Sequence, residues 1–240
     1  MPPAAKPATG RTDTNKPQAA AFTAAERRVI ARCRTPVHVQ AYLNRLPYNN
    51  EPPPGGATLR SFRGVVRTGT AHCLEAALAA AVILEQHGYP PLVLSFESVD
   101  ELDHVLFVYW HRGCWGSVAR SRDPGLHGRK AVFRTPRDLA LSYVDPYIDY
   151  SGRITAYTVV NIAHLLGDYD WRLSQNNVWK AERVLLEAPH RAIRSSDKRI
   201  DALRRKYVAY RKAHGGKKPL YYRQRDTWSA LPREFGNVEK

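Results

Sequence analysis

Two residues have types and settings that could support nucleophilic chemistry. Cys73 lies in "TGTAHCLEAALAAAVILEQHG", residues 68–88, at the head of an apolar, alanine-rich stretch with helical spacing. A cysteine there can be a small packing residue. It can also be a nucleophile, because the free N–H groups and the dipole at a helix start favour an anion and lower a thiol pKa. With Thr70 as N-cap the cysteine falls at the third helical position, where the same amides can hold an oxyanion. A thiol nucleophile needs a base, and the base needs an orienting partner. His104 opens "HVLFVYW" after the acidic turn "ESVDELD", so a strand start would hold it rigidly. The orienting group would come from the neighbouring strand, "CWGSVARSRD", residues 114–123.

The elements that must position these groups are legible in outline. Thr23 and Glu26 form a capping-box pattern ahead of "ERRVIARC". A second short helix follows Pro36, and "PYNNEPPPGGA" (Pro47 to Ala57) is a breaker loop. The central helix stops at Gly88, with Pro90 beyond it. "PLVLSFES" reads as a strand, and residues 104–121 as a hairpin turning at His111-Arg112-Gly113. Thr135 and Pro136 mark a helix start. "TAYTVVNIAHLL" fits a strand or a helix start, "RLSQNNVWKAERVLLEAPH" a helix, and "DKRIDALRRKYVAYRKAHGG" a helix ending at a glycine pair. Helices, a central helix, antiparallel strands and helices again give an α+β class. The expected organisation is a disordered tail over residues 1–22, a core over 23–188 and a basic helical extension over 189–240.

This order resembles the transglutaminase-like branch of the papain-like cysteine enzymes, in a divergent, bacterial-type form. Cys73, the Leu74-to-Gly88 helix, "PPLVLSF", His104 and Trp115 follow the family's sequence of parts over roughly residues 35–150. The resemblance implies a central helix packed on an antiparallel sheet, with Cys73 as nucleophile and His104 as base. It implies attack on an amide or ester carbonyl of a peptide or amide substrate through a thioacyl intermediate, ending in hydrolysis or acyl transfer, with no cofactor. The family's strand carries an aspartate at the position that is Ala119 here. Strand alternation puts Ser121 and Asp123 on the same side. Asp123 is the carboxylate of the two, and Ser121 could give only a weaker hydrogen bond. Trp115, His72 and Arg120 are the expected substrate contacts.

Other constellations carry less. Cys73, His72 and His104 have no familiar zinc-ligand spacing. Asp145 and Asp149 in "SYVDPYIDYSG" read as a packed helix end rather than a glycosidic acid pair. "GLHG" lacks the Lys-Ser/Thr of a phosphate loop.

The chain has 240 residues, 43% of them hydrophobic, and a net charge of +15. Three sparse cysteines without CxxC spacing suit a reducing compartment, so a cytoplasmic location is expected. Neither a secretory h-region nor a membrane-length apolar run is present, which predicts no membrane partner. Residues 191–225 hold 13 Lys and Arg against Asp197 and Asp201. With Tyr207, Tyr210, Tyr221, Tyr222 and Trp228 interleaved or following, this segment could bind nucleic acid or another polyanion. The alternative function is therefore a catalytically degenerate module of the same fold that binds a polyanion through its basic end.

Overall fold

A computed structural model describes residues 16–51 and 55–236. Residues 1–15 of the expected tail and Pro52 to Pro54 of the breaker loop lie outside the described residues. Residues 16–22 do not continue the tail: Ala19–Ala21 form one 3-10 turn, and Phe22 packs edge-on against Phe62 at 6.2 Å.

The first layer is helical: α1 (Ala24–Arg32), α2 (Pro36–Leu43), α3 (Phe62–Thr68) and α4 (Cys73–Glu85). Thr23, Thr35 and Ser61 cap the first three by accepting an amide N–H. In α4 every residue except Cys73 is buried. Alanine tolerates this, having no side chain to order and the best helix propensity. A helix apolar on all sides belongs in the interior, and α4 is the helix against which α1, α2, α3 and the sheet pack.

The sheet is formed by β1 (Leu92–Ser98), β2 (Val105–His111), β3 (Cys114–Val118), β4 (Arg129–Phe133), β5 (Ile154–Asn161) and β6 (Arg191–Ala192). Its order is β4-β3-β2-β1-β5-β6, antiparallel throughout. Strand alternation sorts two cores. Val93, Val105, Phe107 and Tyr109 face α4. Leu94, Phe96, Leu106 and Val108 face α5 (Pro136–Tyr147), which contributes Leu139 and Tyr143. The α+β class expected from the element order is what the chain adopts.

The remaining elements are α6 (Ile162–Leu166), α7 (Lys180–Glu187) and α8 (Asp197–Ala213). "TAYTVVNIAHLL" holds both readings in turn, β5 running directly into α6. No helix among the described residues is long and apolar enough to cross a membrane. Residues 218–235 return to the core. Trp228 is buried, Ser229 N–H donates to Gly128 O at 3.0 Å, and Arg120 pairs with Glu234 at 2.9 Å.

Candidate active site

Cys73 does open the central helix, but one turn position differs from expectation. His72, not Thr70, is the N-cap, so Cys73 is the first helical residue. The reason is Glu75, whose carboxylate accepts the His72 N–H at 3.0 Å and so starts the helix two residues later. The first amides of a helix have no intrahelical acceptor, and the Cys73 N–H, beside its own sulfur, meets the Tyr48 hydroxyl instead.

Glu75 is fully buried, and its neighbours explain how a carboxylate survives there. It accepts from Arg60 N and Nε, both at 2.9 Å, from Thr58 Oγ1 at 3.0 Å and from Asn49 Nδ2 at 3.2 Å. Burial works to raise its pKa. The His72 charge and the N–H bonds from Arg60 and His72 outweigh that and hold it below the usual carboxylate range. The same carboxylate lies 3.7 Å from His72 Nε2.

His72 touches the thiol. Its Nε2 meets Thr58 O at 2.9 Å, so that nitrogen carries the proton in the neutral ring, because a carbonyl can only accept. Burial disfavours the charged ring, but the hydrogen bond and charge of Cys73, with Glu75 behind, raise the His72 pKa to about 9. His72 is thus an imidazolium at neutral pH.

His104 approaches the thiol from the other side. Its ring is 3% exposed, stacked at 6.4 Å on Phe96 and tilted at 6.2 Å against Tyr143. Its Nε2 donates to Leu126 O at 2.8 Å, which leaves Nδ1 as the basic nitrogen of the neutral ring. The turn before it is closed by Asp103, whose Oδ1 accepts from Ser98 N at 2.9 Å and Ser98 Oγ at 3.1 Å. Burial alone would raise the Cys73 pKa. Hydrogen bonds from His104 and then His72, with the charges of both, bring it well below the ordinary thiol value.

The structure therefore brings Cys73, His104 and His72 together. It does not bring Asp123 or Ser121 to His104. The Asp123 carboxylate pairs with Lys218 at 2.5 Å, and Ser121 Oγ accepts the Asp123 N–H at 3.1 Å. The strand that was to carry them ends at Val118, and the chain turns through residues 119–128 so that a backbone carbonyl, not a side chain, reaches the imidazole. Arg120 and Trp115 lie outside the cleft. Arg120 is buried on Leu46 O, Ser121 O and Glu234, and Trp115 belongs to the core facing α5.

Sequence reasoning missed Tyr48. A parallel bridge between Tyr48 and Ala71 sets it beside the helix start. Its hydroxyl interacts with both the backbone and the sulfur of Cys73, and burial and the neighbouring thiol push its pKa up, so it stays protonated. The proline-rich context hid it; the short spacing from Asn49, which reaches Glu75, is the only trace.

These groups line a cleft of about 890 Å³. Among the described residues, eight carboxylates border it, including Glu51, Glu97, Asp100 and Glu182, against two lysines and arginines, Arg122 and Lys218. In a chain of net charge +15 that is a strong local reversal of sign. The basic segment is turned partly inward. Arg204 donates to Ser151 O at 3.0 Å, Arg153 pairs with Asp197, and the rings of Tyr210, Tyr221, Tyr222 and Trp228 follow one another edge-on or tilted, with centroids 5.0–5.9 Å apart.

No family model matches the sequence, and no curated protein matches it. Among solved structures the chain is similar to Legionella pneumophila LapG, at 11% identity and a TM-score of 0.36, over 69% of this chain and 92% of that one. At that likeness nothing about the site is carried across; its chemistry rests on the contacts above.

Proposed function

We propose that this protein is a thiol-dependent acyl enzyme of transglutaminase-like type, acting on an amide or ester carbonyl. The observation that carries the reading is a helix-start thiol held between two histidines, one held as a cation and the other with Nε2 pinned to a carbonyl and Nδ1 left to the thiol.

In the reaction, His104 Nδ1 takes the Cys73 proton and the thiolate forms a C–S bond at the substrate carbonyl. The oxyanion accepts from the Cys73 N–H and the Tyr48 hydroxyl. As the C–N or C–O bond breaks, the His104 imidazolium returns its proton to the leaving amine or alcohol. Water attacking the thioacyl group, with its proton passing to His104, releases the acid and restores the thiol. An amine in place of water gives a new amide. His72 keeps its charge throughout and favours the thiolate. The acidic border of the cleft suits a substrate with cationic side chains near the reacting carbonyl.

The test is the pH dependence of Cys73 alkylation by iodoacetamide, with Cys33 and Cys114 as internal controls. Cys33 is buried, and burial pushes its thiol up. Fast modification of Cys73 alone below pH 7, slowed in His104→Ala, is the expected result. A Cys73 that reacts only near the ordinary thiol pKa of about 8.5 would falsify the reading.

A further inference from the structure

Arg129 is fully buried, and among the described residues it has no carboxylate partner. A buried cation without an anion is costly and persists only when its donors are satisfied otherwise. Its donors go to the loop that reaches His104. Nη2 donates to Gly125 O at 2.6 Å and Ser142 O at 3.3 Å; Nη1 donates to His127 O at 2.7 Å and Gly128 O at 3.5 Å; Nε donates to Ser142 Oγ at 3.2 Å. The rings of Tyr143 and Trp228 lie 4.0 and 4.9 Å from the guanidinium carbon. Of the four consecutive carbonyls 125–128, three turn to Arg129, and the fourth, Leu126 O, meets His104 Nε2. The loop is closed from outside as well. A Cβ on Gly128 would lie 2.2 Å from Gln40 Oε1, and one on Gly125 would lie 2.5 Å from Pro146 Cβ.

We infer that Arg129 is a positioning residue for His104, acting through the Leu126 carbonyl. The inference rests on the catalytic reading of the Cys73–His104 pair. A carboxylate on a side chain can follow a moving imidazole. A backbone carbonyl stays aimed only if its loop is locked, and a five-donor guanidinium fork can lock carbonyls on both sides of one residue. Lysine, a point charge without a fork, cannot hold Gly125 O and His127 O at their present geometry.

The experiment uses the full chain and two readouts: the His104 Nε2–H proton resonance, and the pH profile of Cys73 alkylation. In Arg129→Lys the resonance is expected to lose its downfield position, and alkylation at pH 6 to fall about tenfold or more, since small misplacements of a catalytic group carry costs of this order. Ser142→Ala, which frees only the Nε end of the fork, gives a smaller change in the same direction and serves if the lysine variant does not fold. A folded variant with both readouts as in wild type overturns the inference. If wild-type Cys73 shows no enhanced reactivity, the catalytic reading fails. The resonance alone then decides whether Arg129 aims the Leu126 carbonyl: a shift in the variants supports the placement, and an unchanged resonance rejects it.

Discussion

The two histidines beside Cys73 are held in opposite ways. Against burial, the hydrogen bond and charge of Cys73 raise the His72 pKa to about 9, with the Glu75 carboxylate behind the ring. His104 is backed by a carbonyl, Leu126 O, and by aromatic rings. A buried carboxylate fixes a charge. A neutral acceptor fixes a tautomer and an orientation, and leaves the proton on the far nitrogen free to come and go. On the proposed reading, the site divides between two imidazoles what a triad assigns to one: standing electrostatic stabilisation of the thiolate, and proton transfer.

Five changes break or sharpen this contrast, here from the largest effect downward. His104→Ala removes the proton carrier and should lower turnover of an activated ester by about 10²–10⁴-fold, measured by chromophore release. An equal loss in His72→Asn would erase the distinction between the two rings. Tyr48→Phe should cost about 10²–10³-fold in the same assay, as expected for one oxyanion donor, while Cys73 alkylation, which forms no oxyanion, stays near wild type. Glu75→Gln leaves His72 and Arg60 without their buried counter-charge and should cost of the order of 3 kcal/mol in denaturant unfolding. A loss under about 1 kcal/mol would show that the hydrogen bonds, not the charge, hold that side.

The fourth is a pH signature. His72, with its pKa raised, adds stability that is complete below pH 6.5 and is lost as pH rises through about 9. Cys73, with its pKa lowered, adds stability that is complete above pH 9.0 and is lost as pH falls through its folded value. Between pH 6.5 and 9 the two slopes oppose, so the pair contributes a plateau. Relative to wild type, His72→Asn leaves the thiolate held by His104 alone and should gain unfolding free energy with rising pH in this window, by up to about 1 kcal/mol per pH unit, whereas Cys73→Ala removes the first causes of the His72 shift and should stay nearly flat. A His72→Asn curve parallel to wild type would deny the thiolate–imidazolium pair. Smallest of all, Asp123→Asn should leave alkylation and ester turnover within about threefold of wild type, since its carboxylate meets Lys218 and not His104. A loss comparable to that of His104→Ala would return Asp123 to the triad.

What the sequence disclosed follows from where each signal resides. The caps at Thr23 and Thr135, the glycine following the central helix and the alternation in "HVLFVYW" are side-chain patterns with local causes, and the helices and strands they announce are present, with Cys73 opening α4 and His104 just ahead of β2. The third group was hidden because a carbonyl oxygen is common to every residue; nothing in Leu126 announces it. The N-cap moved from Thr70 to His72 because Glu75 outcompeted the threonine, and "HCLE" carries that pattern with an unusual first residue. Arg129 stands in a charged stretch punctuated by proline and glycines, "RSRDPGLHGRK", which carries no local sign of burial. Only the fold shows that it points inward.

The return of residues 218–235 has a kinetic consequence. Arg120 and Glu234 are 114 residues apart, and Trp228 and Ser229 close over Arg129 and Gly128 from a comparable distance. Contacts between segments so remote form late, after the local helices and hairpins, because chain-closure entropy must be met first. On a nascent chain, which emerges from its N-terminal side, Cys73 and His104 are both present long before the segment that seats the Leu126 loop behind them. The Cys73–His104 pair is therefore completed late, once the C-terminal return has closed over the loop behind His104.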